Sequence, residues 1–439
     1  MLNYFRKKLF EETSIYSLVF MRISFGCLML WEALRYIFSP YNWIYNYYIK
    51  EGFHFKYYGF SWVKPLPGDL MYLHFYALAF LAFLIIIGAF YRIAIILFTL
   101  GFLYVFLIDQ AHYLNHFYMM ILFLTLLCFM PANCYFSVDA WLRPKIKTNV
   151  INFWPVFLLR AQIEIILFYA GIVKINYEWM HALPLKFWLP EANVPDFLSY
   201  FFHQPWMPIV GSYGTILLHV LGAPLMLWKP TRLYVFILYC CFHITNSFTF
   251  QIGIFPWLTI ATTLIFFDAN WPQQILKFKE KIKDRIFHRT SKLKKDFIIY
   301  FVLVWSLVQI FVPMRNMFYP GYMLWTHEGH DFSWRMKIQD ISGFSAFIIS
   351  DKNSDITRTV TYNAYNSMHC QPDMILQFAH FLRDRWKEYG YDVRVNVRST
   401  CSLNRRHEMI FINPLTDLAQ EKRGFHHYNW IMPFDKEIR

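Results

Sequence analysis

Three kinds of side chain in this 439-residue sequence could move protons if the fold gathered them: a lysine, histidines and primary amides, all placed at the ends of apolar runs. The lysine is Lys174. It closes the run LLRAQIEIILFYAGIVKINYEW at 158–179, which is long enough to cross a bilayer and carries Arg160, Gln162 and Glu164 inside it. An ionisable group in hydrocarbon costs several kcal/mol unless it is paired or faces a wet cavity, so each is a functional candidate. Arg160 and Glu164 are four apart and can pair on one helix face. Lys174 has two readings. It can snorkel its ammonium to the interface, or sit in a poorly solvated pocket, lose its proton and act as a base.

Asn115 and His116 open another apolar run, with His112 just before it, while His243 and Asn246 close a third and Gln251 opens a fourth. A histidine here can be an ordinary interfacial residue, and an asparagine a helix cap. Together they could donate to developing oxyanions or shuttle protons. His112 and His116 have metal-ligand spacing on a helix, but they form a single histidine pair, so no metal is expected. Arg22 and Glu32 in the first run read as a structural pair.

The composition supplies the elements that must position these groups. The chain is 57% hydrophobic and 21% aromatic, with 16% charged residues, against about 25% charged in soluble domains. Its apolar runs predict a polytopic α-helical membrane protein of about nine spans, at roughly 14–37, 70–90, 93–109, 115–131, 154–174, 207–228, 231–247, 252–268 and 296–313. The net charge of +13 suits anionic lipid headgroups, and no nucleic-acid motif is present. The basic N-terminus has no small-residue cleavage site after it, so the first run reads as a retained span. With Arg6, Lys7 and Lys8 inside and spans alternating, the loops at 132–153 and 229–232 and the segment 269–295, with nine lysines and arginines from Lys277 to Lys295, also fall inside. The segment 277–295 reads as a solvated helix at the headgroups. The loop at 38–69 breaks the rule, with Lys50, Lys56 and Lys64 outside, and reads as lying on the membrane surface. The N-terminus is then cytoplasmic and the C-terminus outside. Lys174, His116, His243, Asn115 and Asn246 all fall at the outer leaflet.

From Val312 onward the chain is soluble in character. RMKIQDI, SAFIIS, TRTVTYN, VRVNVR and EMIFIN read as strands and 371–389 as an amphipathic helix. The expected organisation is a helical membrane domain over 1–313 and a small extracytoplasmic α+β domain over 314–439. Of the seven cysteines, Cys27, Cys128, Cys240 and Cys241 fall in spans as packing residues. Cys370 and Cys401, in the soluble region, could pair.

The stretches NHFYMMILFLTLLCFMPANCYFSVDAW (115–141), LLRAQIEIILFYAGIVKINYEW (158–179), FHITNSFTFQIGIF (242–255), GYMLWTHEGHDFSW (321–334) and SLNRRHEMIFINPLTD (402–417) resemble the vitamin K-dependent gamma-glutamyl carboxylase family, including its bacterial members with a horizontally transferred transmembrane domain. The resemblance runs from about residue 70 to the end. It implies a reaction in which an amine base, matched by Lys174, deprotonates reduced vitamin K, a naphthohydroquinone. Reaction with O2 then generates a strong base that removes a glutamate γ-proton, and CO2 adds to give γ-carboxyglutamate and quinone epoxide. It implies Lys174, His116 and His243 as catalytic residues. It also directs attention to Asn115, Asn246, Arg160 and Gln162 for the cofactor, and to Trp325, His330, Trp334 and Arg406 on the substrate side. The implied partner is a glutamate-containing protein or peptide, and the location a multi-pass inner membrane if the source is bacterial. Two features depart from the animal enzymes. The chain stops soon after FINP, and His330 stands where they carry Tyr, so an animal-type leader is not an implied substrate. Quinol epoxidation without carboxylation, and a non-enzymatic lipid-binding scaffold, are the alternative functions.

Overall fold

The computed structural model describes residues 2–50, 52–250, 252–277, 291–362 and 366–435. Gln251 and most of the basic segment 277–295 lie outside the described residues. Six helices are long and apolar enough to span a bilayer: α1 (Tyr16–Ile37), α2 (Leu70–Ile87), α3 (Tyr91–Ile108), α5 (Trp154–Ile172), α6 (Met207–Leu227) and α9 (Lys292–Phe318). The other three expected spans are different in kind. Helices α4 (Asn115–Phe129) and α8 (Phe255–Phe266) are shorter apolar helices. Helix α7 (Lys229–Thr249) has 21 residues but includes Lys229, Arg232, His243 and Asn246 and is not apolar enough. Among the described residues, six of the nine expected spans are helices of spanning length and apolarity, and the other three are helices that are shorter or more polar.

The helices form one bundle around an aliphatic and aromatic core. One end of it gathers the N-terminal segment and the basic loops. Residues Glu12–Ser14 pair antiparallel with Val150–Asn152, Ser17 N–H donates to the Ala269 carbonyl, and Arg6 meets Asp296 at 2.8 Å. Arg22 is fully buried here and spends its guanidinium on the carbonyls of Ala132, Tyr135, Ile86 and Phe136. Glu32 pairs with Arg35 at 2.8 Å instead, so the expected Arg22–Glu32 pair does not form. The Arg160–Glu164 pair does not form either. Arg160 donates to the carbonyls of Ile265 and Phe267, both at 2.8 Å, which would otherwise be orphans at the end of α8.

At the opposite end sits an antiparallel sheet, β1 (Ile341–Asp351), β2 (Thr357–Thr361), β3 (Val393–Leu403) and β4 (Met409–Ile410), in the order β2-β1-β3-β4. Alternation explains it: along β3 every second residue from Val393 to Cys401 is buried and the intervening ones are more exposed. Helix α10 (Pro372–Glu388) covers the buried face, with Phe378 edge-on to Phe347 at 4.9 Å. Cys370 and Cys401 are joined in a disulfide between the start of that helix and β3. The expected strand at RMKIQDI is irregular until Ile341. Phe332, Trp334 and Lys337 have left-handed backbone in and just before it, and L-residues in that region cannot continue a strand. The loop at 38–69 does not simply lie on the membrane. Phe55 is fully buried in the core of the sheet domain, and Lys56 N–H donates to the Gln377 side chain at 2.7 Å.

Candidate active site

Between the bundle and the sheet domain lies a cavity of about 570 Å3. Small-molecule sites usually run from about 300 to 1,000 Å3. Lys174, His116, His243, Asn115 and Asn246 all line it, and so does His112. The first five arrive from three helices: Asn115 and His116 on the first turn of α4, His243 and Asn246 in the last two turns of α7, and Lys174 two residues beyond the end of α5.

Lys174 is 5% exposed. Its Nζ donates to the Ala170 carbonyl at 2.9 Å and the Met336 carbonyl at 3.2 Å, and lies 5.2 Å from the Trp179 ring. No carboxylate pairs with it among the described residues. Burial without a counterion disfavours the ammonium and lowers its pKa from 10.5 to about 7. A neutral amine has two N–H groups and one lone pair. The two carbonyls take both protons and leave the lone pair for the cavity.

The histidines are in the complementary state. His243 is 1% exposed and neither ring nitrogen has a partner; His116 is 7% exposed with Nε2 unpartnered. Buried polar atoms are normally satisfied, so three orphans around one cavity point to a ligand that satisfies them. The Phe255 ring stands between the two histidines, 6.0 Å from His116 and 5.9 Å from His243.

The cavity also contains groups that the linear sequence did not single out. His219, 5% exposed, lies in a π-helical turn of α6 and lines the cavity. Its Nδ1 is 2.8 Å from the Thr215 carbonyl, which holds that proton and leaves Nε2 as the basic nitrogen. Its place beside Lys174 depends on Gly171, where a Cβ would fall 2.8 Å from the His219 Cβ and 3.0 Å from the Val220 backbone nitrogen. An ionisable residue inside an apolar run, the signal used for Arg160, was available for His219 too. Arg35 and Lys337 bring cations to the wall. Lys337 lies 5.1 Å over Phe250, and burial lowers its pKa despite Asp340 nearby. Met336 and Lys337 come from the irregular segment ahead of β1, a long-range contact without a local signature.

The remaining expected site residues are elsewhere. Arg160 ties α5 to α8, as above. Gln162 accepts from Trp305 at 2.8 Å and donates to Gln309 at 3.3 Å, joining α5 to α9. Neither lines the cavity. Trp325 is fully buried in the sheet-domain core, donating to the Met432 carbonyl. Trp334 is fully buried against Tyr118 at 4.9 Å. Arg406 grips the buried Glu178 with both terminal nitrogens, at 2.7 and 3.0 Å, and Asn404 adds a third bond at 2.7 Å. That cluster clamps the sheet domain to the turn after Lys174. His330 lines a separate cavity, beside Asp331.

The chain matches the family model of the HTTM domain over residues 10–271, more than half its length, and that of the vitamin K-dependent gamma-carboxylase lumenal domain over residues 294–437. No solved structure matches it. With a buried lysine facing an aromatic cavity between the parts those two models cover, the chain belongs to the vitamin K-dependent gamma-carboxylase family.

Proposed function

We propose that this multi-pass membrane protein carboxylates peptidyl glutamate to γ-carboxyglutamate with CO2 and couples that step to epoxidation of reduced vitamin K by O2. The observation that carries the reading is Lys174: a buried amine with two carbonyl acceptors, no carboxylate and a cavity at its third position. The donor set suits a flat ring bearing two hydroxyls, because the walls are aromatic and the orphaned nitrogens belong to His116 and His243 on different helices.

When bound, the reduced naphthoquinone supplies, with O2, the reducing power and the strong base that abstraction of a glutamate γ-proton demands. Lys174 takes the proton of a hydroxyl presented from the cavity. A protonated lysine could not do so; the neutral amine can, because desolvation has already removed the preference for charge. His116 and His243 donate N–H to oxygens that gain negative charge, or pass a proton on. Asn115 and Asn246 orient the ring. Phe255 and Trp179 keep water from the amine. Arg160, Gln162, Trp325, Trp334 and Arg406 have structural roles in this reading. The cavity end of the bundle is the extracytoplasmic one, so quinol arrives from the bilayer and peptide from outside.

The test is turnover in nanodiscs with reduced vitamin K, a glutamyl peptide and labelled bicarbonate, comparing wild type with Lys174→Ala. Epoxide and peptide-bound label from wild type, both lost in the variant, support the reading. Epoxide without label reassigns the chain as a quinol epoxidase, and unchanged turnover in the variant removes Lys174 as the base.

A further inference from the structure

A groove of about 360 Å3, lined by Trp188, Glu191, Asn193 and Thr249, lies against the Lys174 cavity. Phe250 and Lys337 line both, so the two spaces meet at this pair. The partition between them is one residue thick. Lys174 Nζ donates to the Met336 carbonyl at 3.2 Å on the cavity side. The next residue in the chain, Lys337, also lines the groove.

Lys337 is the movable part of that partition. Its ammonium lies 5.1 Å over the Phe250 ring and 5.6 Å over the Trp188 ring, and the two rings stand edge-on at 5.6 Å. It forms no hydrogen bond or ion pair among the described residues. The acid that acts on it, Asp340, is bound to Arg405 at 3.1 Å. Ring contacts of this kind are weak at wet sites, and the lysine stem is flexible, so the side chain can swing aside.

The groove walls suit a peptide. Arg405, from the sheet domain, clasps Glu191 with both terminal nitrogens, which neutralises that carboxylate on the rim. Asn193 is exposed and offers its side-chain amide. Phe248 and Thr249 end α7 and line the groove, and their carbonyls accept no backbone N–H among the described residues. The last carbonyls of a helix need partners from outside it. A peptide backbone supplies them and a hydrocarbon tail does not.

We propose that this groove is the peptide site: it holds the backbone of the glutamyl substrate, whose reacting side chain enters the cavity between Lys337 and Phe250. The proposal rests on the carboxylase reading of the cavity and gives the peptide an entrance of its own, apart from the quinol. The dimensions agree. A glutamyl side chain sets its carboxylate carbon about 4 Å from Cα, close to the step of about 3.8 Å between neighbouring Cα atoms, which is the thickness of the partition.

The experiment uses the full-length protein in phosphatidylcholine nanodiscs and a fluorescein-labelled peptide with one glutamate. Binding is read by fluorescence anisotropy without quinol, so it is independent of turnover. Asn193→Trp fills the groove from an exposed position and should weaken peptide binding about tenfold. Tyr389→Trp, at an exposed site on the sheet domain, should not change it. Benzoylphenylalanine in place of Asn193 should cross-link the peptide on irradiation, and excess unlabelled peptide should suppress the adduct. In turnover, Asn193→Trp should raise the KM for peptide more than the KM for reduced vitamin K. Wild type that binds no glutamyl peptide, an Asn193→Trp variant that binds it as wild type does, or an adduct that unlabelled peptide leaves intact overturns the proposal. So does a KM for quinol that rises more than that for peptide, because the groove is then the quinol entrance. Failure of the carboxylase reading registers separately, as peptide bound in the groove with no label incorporated from bicarbonate.

Discussion

Replacing Lys174 tests the chemistry most directly, and the structure sets the scale. Moving the amine from 10.5 to about 7 favours its neutral form by about 5 kcal/mol. At pH 8 about nine in ten such amines are neutral, against about three in a thousand for an ordinary lysine, a difference of about 300-fold in available base. The base is the unprotonated form, so epoxide formation should rise with pH through about 7, level off above it, and fall about tenfold per pH unit below. Lys174→Ala should lower the rate by about 100- to 10,000-fold, the usual contribution of a positioned base. Methylamine added to the variant should restore part of it, with the alkaline limb now near the pKa of a free alkyl amine, about 10. Lys174→Arg should stay inactive, because a guanidinium keeps its proton. The assay is initial epoxide formation from pH 5.5 to 9 in nanodiscs. A limb that remains near 7 in the rescued variant would assign it to another group and refute the role given to Lys174.

Three further outcomes follow from packing. Gly171→Ala pushes a Cβ against His219 and the Val220 backbone; thermal denaturation should show about 1–3 kcal/mol lost, and epoxide formation should fall because α6 no longer seats His219 by Lys174. Arg406→Ala strands the buried Glu178 carboxylate and should cost about 3–5 kcal/mol, while the double variant Glu178→Met with Arg406→Met should cost less than either single change; equal costs would place the pair outside the domain clamp. Replacing Cys370 and Cys401 by serine opens a link between residues 31 apart, and chain entropy predicts about 3–4 kcal/mol lost from the sheet domain, read by denaturant melting with and without reductant.

Composition and run length alone determined that this is a helical membrane protein with a sheet-bearing C-terminal region, because hydrocarbon admits only closed backbone hydrogen bonding. They also singled out six residues, His112 among them, that share one cavity. Charged and polar groups stand out at the ends of apolar runs, and alternation of spans carries those ends to one face. The count of spans was less legible, since α4 and α8 are apolar but short and α7 is long but polar. Helix geometry already separates Arg160 and Gln162 from the cavity: a rise of 1.5 Å per residue sets them about 21 and 18 Å from Lys174 along α5. Only the tertiary structure decided the rest. His219 reaches the lysine because Gly171 lets two helices touch, Met336 offers its carbonyl from a segment 162 residues away, and Arg406 clamps Glu178. Such contacts depend on which faces pack together, and packing is a property of the whole chain rather than of any local pattern within it.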